Sequence, residues 1–151
     1  MHVAGCTAHP TAAWVTQQAR QLCWSVQDRD RPLRFVLHDR DAKFPPTFDT
    51  IFTSEGMEVI RTPYRAPNAN AYAERWVRAV REECLDHLLV VNEAHLRRVL
   101  ADYATYFNRA RPHQGLDQLI PLAPVPGPQA GPVLCRDALG GLLHDYYRDA
   151  A

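Results

Sequence analysis

Between residues 34 and 60 the sequence passes from a short apolar run to an amphipathic stretch and then to a second apolar run. The first run, RFVLH at 34–38, has the length and composition of a buried strand. Apolar residues at helical spacing predict a helix over 44–54, Gly56 interrupts it, and MEVI at 57–60 predicts another strand. Strand, helix and strand in this order indicate a parallel crossover connection and therefore an α/β fold, whose chemistry lies in the loops after the strand carboxyl ends.

Three longer helices are predicted around this unit, over residues 10–28, 69–89 and 93–108. Pro10 is tolerated in the first turn of the first of them, and Asn92 is a typical N-cap for the last. Residues 1–8 (MHVAGCTA) read as a β-like stretch without a preceding turn. We therefore expect that the chain begins partway through a sheet and is truncated at its N-terminus.

The domain organisation follows from the prolines. Residues 1–120 are predicted to form one domain, and the prolines and glycines of 121–132 indicate a linker. Residues 133–151 form a short C-terminal tail, for which a small β element and an oligomerisation segment both stay open.

Composition restricts the functional classes. Lys and Arg together number 17, as do Asp and Glu, so any DNA role must rest on local features rather than on excess basic charge. The sequence has neither an apolar run of membrane-spanning length nor a secretory leader, which predicts a cytoplasmic protein with no membrane partner. The four cysteines form no CxxC pair and are expected to be reduced and mostly buried, without a metal.

Two carboxylates lie at positions that suit a metal site. Asp39 directly follows the first predicted strand, and Glu74 lies early in a later helix, with 34 residues between the two. Such a pair can share magnesium, which prefers hard oxygen ligands. The alternatives are a turn or cap residue for Asp39 and a surface ion pair with Arg78 for Glu74. The residues alone leave both interpretations open.

Three blocks then resemble DDE-type transposases and retroviral-type integrases. Residues 37–44 (LHDRDAKF) resemble the block that carries the second catalytic aspartate of these enzymes. Residues 63–75 (PYRAPNANAYAER) resemble the block that ends in the catalytic glutamate, and 106–116 (YFNRARPHQGL) the closing Arg-Pro-His signature. The resemblance covers about residues 3–124, so 1–120 would be a partial integrase catalytic core whose opening strands are missing.

The resemblance implies a ribonuclease H-like fold, here an incomplete mixed sheet with flanking helices. It implies a two-ion site for Mg²⁺ or Mn²⁺ in which Asp39 and Glu74 are both catalytic residues and metal ligands. The implied reaction is DNA strand cleavage and transfer, and the implied partners are element ends, target DNA, and another copy of the chain or a full-length transposase. On DNA the protein would be associated with the nucleoid.

The sequence departs from the family at the metal ligands. The first aspartate of the family would precede Met1, and no acidic residue occurs before Asp28. Asp28 and Asp30 lie on the wrong element to replace it, which predicts an incomplete, weak site and an inactive or impaired chain. Asp41 stands where the family has glycine, so its charge is expected to raise a carboxylate pKa or to provide an alternative ligand.

Local basic and aromatic residues could meet DNA despite the zero net charge. Six are predicted to do so: Tyr64, Arg78, Arg81, Arg109, Arg111 and His113. Tyr64 is a candidate for base stacking, whereas Trp76 is expected in the core. For the arginines the competing interpretation is a solvated helix face.

Two other functions compete with the enzymatic one. The alternative is a non-catalytic remnant that binds DNA or pairs with an intact transposase and inhibits it. A phosphorylated receiver domain also places an aspartate after a parallel strand, but the required acidic pair and lysine are missing.

Overall fold

The computed structural model describes residues 1–27, 32–64, 67–122 and 130–149. These residues form two compact units, one of Ala4–Arg78 and one of Met1–Val3 together with Ala79–Ala151. Helices and two small sheets make up the described chain, so the predicted α/β class is confirmed.

In the unit Ala4–Arg78 the first helix, α1, spans Ala12–Val26. The hydroxyl of its N-cap Thr11 accepts a hydrogen bond from the Trp14 backbone N–H at 3.2 Å, which satisfies one of the free N–H groups of the first turn. Pro10 precedes this cap, so the helix begins two residues later than predicted. Its predicted end at residue 28 lies outside the described residues.

The predicted crossover unit is confirmed. Strand β1 (Phe35–His38) is followed by helix α2 (Pro46–Ser54) and strand β2 (Glu58–Arg61). The two strands pair in parallel, from Phe35 opposite Glu58 to His38 opposite Arg61. Gly56 takes a φ of 78° between α2 and β2, a conformation in which a Cβ is disfavoured.

The core of this unit lies between the helices and one face of the sheet. Its buried residues are Val15, Ala19, Cys23, Phe48, Phe52 and Met57, and Val36 and Val59 of the strands pack against them. The opposite sheet face carries Phe35 and Leu37, which are 50% and 42% exposed. The prediction that 34–38 is a buried strand is therefore wrong, because only one face of this two-stranded sheet is covered by described residues.

Helix α3 (Ala71–Glu83) spans the division between the two units. It ends six residues before its predicted end, because Cys84 leaves the helical region with φ −138° and ψ −68°, and a 3₁₀ turn, Leu85–His87, follows. The apolar face predicted for this helix is only partly buried, since Val80 and Cys84 are buried whereas Ala73 and Val77 are exposed.

In the second unit, helix α4 spans Glu93–Arg109. The Asn92 side chain accepts a hydrogen bond from the His95 backbone N–H at 2.8 Å, so the predicted cap is confirmed. The buried residues of this unit are Val80, Cys84, Val99, Leu100 and Tyr103.

The tail contains a β-hairpin. Strands β3 (Val133–Ala138) and β4 (Leu143–Arg148) pair in antiparallel register, Val133 opposite Arg148 and Ala138 opposite Leu143. This hairpin pairs with itself and not with β1 and β2. The described strands thus form two separate small sheets instead of one incomplete mixed sheet.

Residues 1–8 are the second correction to the predicted strands, because no strand forms there. Instead, Asn108 of α4 donates a hydrogen bond to the Met1 carbonyl at 2.6 Å and accepts one from the Met1 amino group. Residues 123–129 of the predicted linker lie outside the described residues, and the predicted domain boundaries stay predictions. None of the helices described is long and apolar enough to cross a membrane.

Candidate functional site

Asp39 follows the carboxyl end of β1 directly and is exposed. One of its carboxylate oxygens accepts a hydrogen bond from the backbone N–H of Asp41 at 3.1 Å, the local turn contact that aspartate commonly makes. The turn role and the metal role are therefore compatible, since this contact uses a single lone pair of an exposed carboxylate.

Asp41 is tied to Lys43. Its carboxylate accepts hydrogen bonds from the Lys43 ammonium at 2.7 Å and from the Lys43 backbone N–H at 2.9 Å. These contacts lower the pKa of Asp41, chiefly through the side-chain hydrogen bond from Lys43. The expected rise in a carboxylate pKa is thus wrong for Asp41, because the hydrogen bonds from Lys43 stabilise its charged form.

The residue before Asp39 is anchored by a polar network that the sequence analysis missed. His38 is buried, its Nδ1 lies 2.6 Å from the Asp39 carbonyl oxygen, and its Nε2 lies 2.9 Å from Asp49 Oδ1. Arg61 donates to the other Asp49 oxygen at 2.5 and 3.1 Å. Both ring nitrogens of His38 thus lie within hydrogen-bonding distance of an oxygen atom. The alternation of side chains along β1 places His38 on the core side of the sheet. A polar residue at a core position indicates that it has a hydrogen-bond partner, so this network could have been predicted.

A second contact fixes the loop that carries Asp39. Arg40 donates to the Thr62 carbonyl at 3.1 Å, and the Thr62 N–H donates to the His38 carbonyl at 2.9 Å. The His38 backbone and the Arg40 side chain, on either side of Asp39, are therefore both hydrogen-bonded to Thr62, which directly follows β2. Such support limits the positions that an exposed carboxylate can take.

Glu74 lies in the first turn of α3 and is exposed. The i,i+4 ion pair with Arg78, which was the competing explanation for this residue, is absent from the described ion pairs. Asp39 and Glu74 both belong to the unit Ala4–Arg78. The only cluster of three His, Cys, Asp or Glu ligands in the described part of the chain lies elsewhere, at Cys135, Asp137 and His144. Asp28 and Asp30 fall outside the described residues.

Arg111 makes the most extensive ion pair of the second unit. Its guanidinium donates to Glu83 at 2.6, 2.9 and 3.1 Å, and both side chains are 28% exposed. The hydroxyl of the fully buried Tyr103 donates to the same carboxylate at 2.9 Å. Burial raises the pKa of Glu83, but the hydrogen bonds from Arg111 and Tyr103 outweigh burial, so the pKa lies below its ordinary value. Burial and the Glu83 carboxylate together raise the pKa of Tyr103.

Arg111 and His113, both in the Arg-Pro-His block, are thus engaged within the protein. His113 Nε2 lies 2.9 Å from the Phe107 carbonyl oxygen, and its ring meets the Phe107 ring edge-on with centroids 4.4 Å apart. DNA contacts were predicted for both residues, and neither the Glu83 partner of Arg111 nor the Phe107 partner of His113 was predicted. A DNA role for them stays a prediction.

The other predicted DNA contacts are on the surface. Arg78 and Arg109 are exposed, and Arg81 is exposed with a loose ion pair to Asp86 at 3.8 Å. Tyr64 is 79% exposed, which suits a stacking role. Trp76 is half-buried, and its indole N–H is buried without a hydrogen-bond partner in the described structure.

Comparison with known families finds a match in this region. The integrase core domain family matches residues 55–121. The integrase core match contains Glu74, the α3 arginines and the Arg-Pro-His block, and it begins after Asp39. The predicted resemblance is confirmed.

A relative from an insertion element agrees with the integrase core assignment. The insertion element IS476 uncharacterized 39.2 kDa protein of Xanthomonas euvesicatoria is 35% identical over 89 residues, which are 58% of this chain and 26% of the relative. The chain therefore spans about a quarter of the length of this curated relative. No solved structure matches the chain.

Proposed function

We propose that this chain acts in DNA integration or transposition, through metal-dependent DNA strand cleavage and transfer in which Asp39 and Glu74 are the catalytic metal ligands. The observation that carries the proposal is Glu74 itself. It is an exposed carboxylate in the first turn of α3, inside the family match, and no ion pair of the described residues uses it. A surface glutamate with a structural role would be expected to pair with Arg78, and it does not.

The fold proposed for this function is ribonuclease H-like. The parallel pair of β1 and β2 with α2 between them supplies a crossover unit of the required kind. Asp39 leaves the carboxyl end of β1, the edge at which α/β sheets place functional side chains.

The donor atoms suit a hard divalent cation. Integrase core domains use divalent metal ions, and the two carboxylates offer only oxygen ligands, as Mg²⁺ and Mn²⁺ prefer. A bound ion would supply Lewis acidity that stabilises the attacking and leaving oxygens in phosphoryl transfer. Asp39 and Glu74 would hold it, and the hydrogen bond from His38 to the Asp39 carbonyl would keep the Asp39 backbone in place.

The predicted weakness of the site is part of the proposal. Asp39 and Glu74 are two of the three carboxylate ligands that the family resemblance implies, and we propose that a site formed by these two alone binds its ion weakly and supports only low activity. Exposed Arg78 and Arg81 would neutralise DNA phosphates near the reaction.

The test is a strand-cleavage and strand-transfer assay on labelled duplex DNA in Mn²⁺ with the full chain. Wild type is expected to yield a low level of metal-dependent nicked or joined product, whereas Asp39→Asn and Glu74→Gln abolish it. Glu82→Gln is the matched control, because Glu82 is another exposed glutamate of α3. Product formation that is equal in wild type, Asp39→Asn and Glu74→Gln would contradict the assignment of these residues.

A second candidate is a non-catalytic role, in which the chain binds DNA or pairs with a full-length transposase and inhibits it. It is favoured by the absence of a three-ligand cluster at Asp39 and Glu74 in the described residues. Absence of any product in the first assay, combined with retention on DNA at low salt or co-purification with a full-length transposase, would support this role. Lack of both retention and co-purification would exclude it.

The salt dependence of DNA binding tests the arginines in either case. Replacing Arg78 or Arg81 by alanine should weaken binding and reduce the slope of log affinity against log salt by about 1 for each lost phosphate contact. Arg97→Ala is the matched control, because Arg97 is an exposed arginine of α4 that pairs with Glu93 at 2.9 Å and was not predicted to contact DNA. An equal slope in all three variants would remove these arginines from the DNA interface.

A further inference from the structure

The solvent-facing side of the C-terminal hairpin gathers three different metal-binding side chains. Cys135 and Asp137 lie two residues apart on β3, and His144 lies opposite Asp137 on β4. Side chains alternate across a strand, so these three share one face. All three are exposed, and one ligand atom from each lies within 4.8 Å of the other two.

The distances between these atoms fit a single small ion. His144 Nδ1 lies 2.9 Å from Asp137 Oδ1, and Cys135 Sγ lies 3.9 Å from the same oxygen. Ligand atoms around a tetrahedral zinc ion, with bonds of about 2.1 Å to nitrogen or oxygen and about 2.3 Å to sulfur, lie about 3.5 Å from one another. The two observed separations bracket that value, so side-chain movements of about half an ångström would close the site.

The hairpin holds the ligands in register before any ion binds. Six cross-strand residue pairs connect β3 and β4, from Val133–Arg148 to Ala138–Leu143. The open end is fastened by Arg148, which donates to the Gly131 carbonyl at 2.7 Å, and by the Asp149 N–H, which donates to the Pro132 carbonyl at 3.2 Å. Ligands on a preformed scaffold lose less conformational entropy on binding than ligands on a loose segment.

Cys135 differs from the other cysteines in a way that favours metal binding. Cys23 and Cys84 are buried, and burial raises the pKa of both thiols, which makes them poor ligands because the thiolate is the form that binds metal. Cys135 is exposed, so its sulfur is accessible to a metal ion from solvent.

We propose that Cys135, Asp137 and His144 form a site for a borderline-soft divalent cation of the zinc type, with three protein ligands and a fourth position open to solvent. A sulfur, nitrogen and oxygen ligand set selects zinc or cobalt over magnesium, which prefers oxygen alone. The site lies outside residues 55–121 and uses none of the residues assigned to the integrase core reaction. It therefore differs from the carboxylate pair Asp39 and Glu74 in its residues and in its ligand chemistry.

The test is a titration of the full chain with Co²⁺, a spectroscopic substitute for zinc. Binding is measured by the absorption of the thiolate-to-cobalt charge-transfer band. Wild type should bind one equivalent with this band, added Zn²⁺ should abolish it, and a large excess of Mg²⁺ should leave it unchanged. Cys135→Ser should remove the band, and His144→Asn should weaken Co²⁺ binding by at least roughly tenfold. Because both side chains are exposed, circular dichroism of the variants should match that of wild type.

Matched controls use Cys6 and His9, a cysteine and a histidine near the N-terminus. Cys6→Ser and His9→Asn should bind Co²⁺ as wild type does. Absence of a charge-transfer band in wild type, or a band that persists in Cys135→Ser, would overturn the proposal. Full displacement of Co²⁺ by Mg²⁺ would also overturn it, because the site would then lack the proposed sulfur and nitrogen ligands.

Discussion

Arg111→Ala removes the guanidinium that holds Glu83 and leaves that carboxylate with the Tyr103 hydroxyl as its partner. Both members of the ion pair are 28% exposed, so the free-energy cost of breaking it lies between that of a buried pair and that of an exposed pair. Breaking a fully buried pair costs about 3–5 kcal/mol, and an exposed pair contributes about 0–1 kcal/mol. We expect a loss of about 2 kcal/mol in the free energy of unfolding, which in a chain of this size lowers Tm by about 4–8 °C.

The pH dependence gives this prediction a second, independent readout. The pKa of Glu83 is lower in the folded protein than its ordinary value of 4.5. Its contribution to stability is therefore fully present above pH 4.5 and is lost as the pH falls through the folded-state pKa. The stability difference between wild type and Arg111→Ala should be largest near neutral pH and should shrink in acid below pH 4.5.

Urea unfolding followed by circular dichroism, at neutral pH and in acid, measures both effects. Arg97→Ala is the control, since its pair with Glu93 is much more exposed, at 67% and 50%, and its loss should change stability by at most about 0.5 kcal/mol. If Arg111→Ala lowers the free energy of unfolding by no more than Arg97→Ala does, the structural role assigned to the Arg-Pro-His block is wrong. The same holds if the loss caused by Arg111→Ala does not depend on pH.

Two further substitutions test the two units separately. Phe52→Ala in the core of Ala4–Arg78, where Phe52 is 1% exposed, should lower the free energy of unfolding by about 3–5 kcal/mol. Trp24→Ala is the control, because Trp24 is 66% exposed, and it should change the free energy of unfolding by at most about 0.5 kcal/mol. Equal effects of Phe52→Ala and Trp24→Ala in urea unfolding would contradict the assigned core. Asn92→Ala removes the α4 cap and should lower the free energy of unfolding by about 1 kcal/mol. Asn92→Ser keeps a capping side chain and should retain most of the wild-type stability. Equal melting temperatures of wild type and both variants in a thermal-shift assay would contradict the role of the cap.

The sequence predicted those elements whose signals are local. The crossover unit followed from the apolar runs at 34–38 and 57–60 with a helical pattern between them, and the cap at Asn92 followed from residue type. The early end of α3 could not be predicted, because Cys84 is apolar, continues the helical stripe and has no intrinsic tendency to leave the helix. The exposure of Phe35 and Leu37 depends on which elements cover the sheet, and a strand pattern does not contain that information.

The candidate site residues were also chosen from local signals. Position after a strand and early in a helix made Asp39 and Glu74 candidates, the family match includes Glu74, and their catalytic role stays a prediction. The partners of Asp49 and Glu83 were missed because they are distant in sequence: His38 is 11 residues from Asp49, and Arg111 is 28 residues from Glu83. The hairpin ligands were missed for the same reason, since Cys135 and His144 meet only through the strand register.

The most direct test of the central claim is Mn²⁺ binding to the full chain, measured by the relaxation of water protons or by electron paramagnetic resonance, in wild type, Asp39→Asn, Glu74→Gln and Glu82→Gln. The Cys135→Ser background is used throughout, so that the hairpin does not contribute. The account predicts weak binding in wild type, the same binding in Glu82→Gln, and its loss in both Asp39→Asn and Glu74→Gln. Binding that survives unchanged in Asp39→Asn and Glu74→Gln would contradict the claim that these two carboxylates form the metal site of an integrase core.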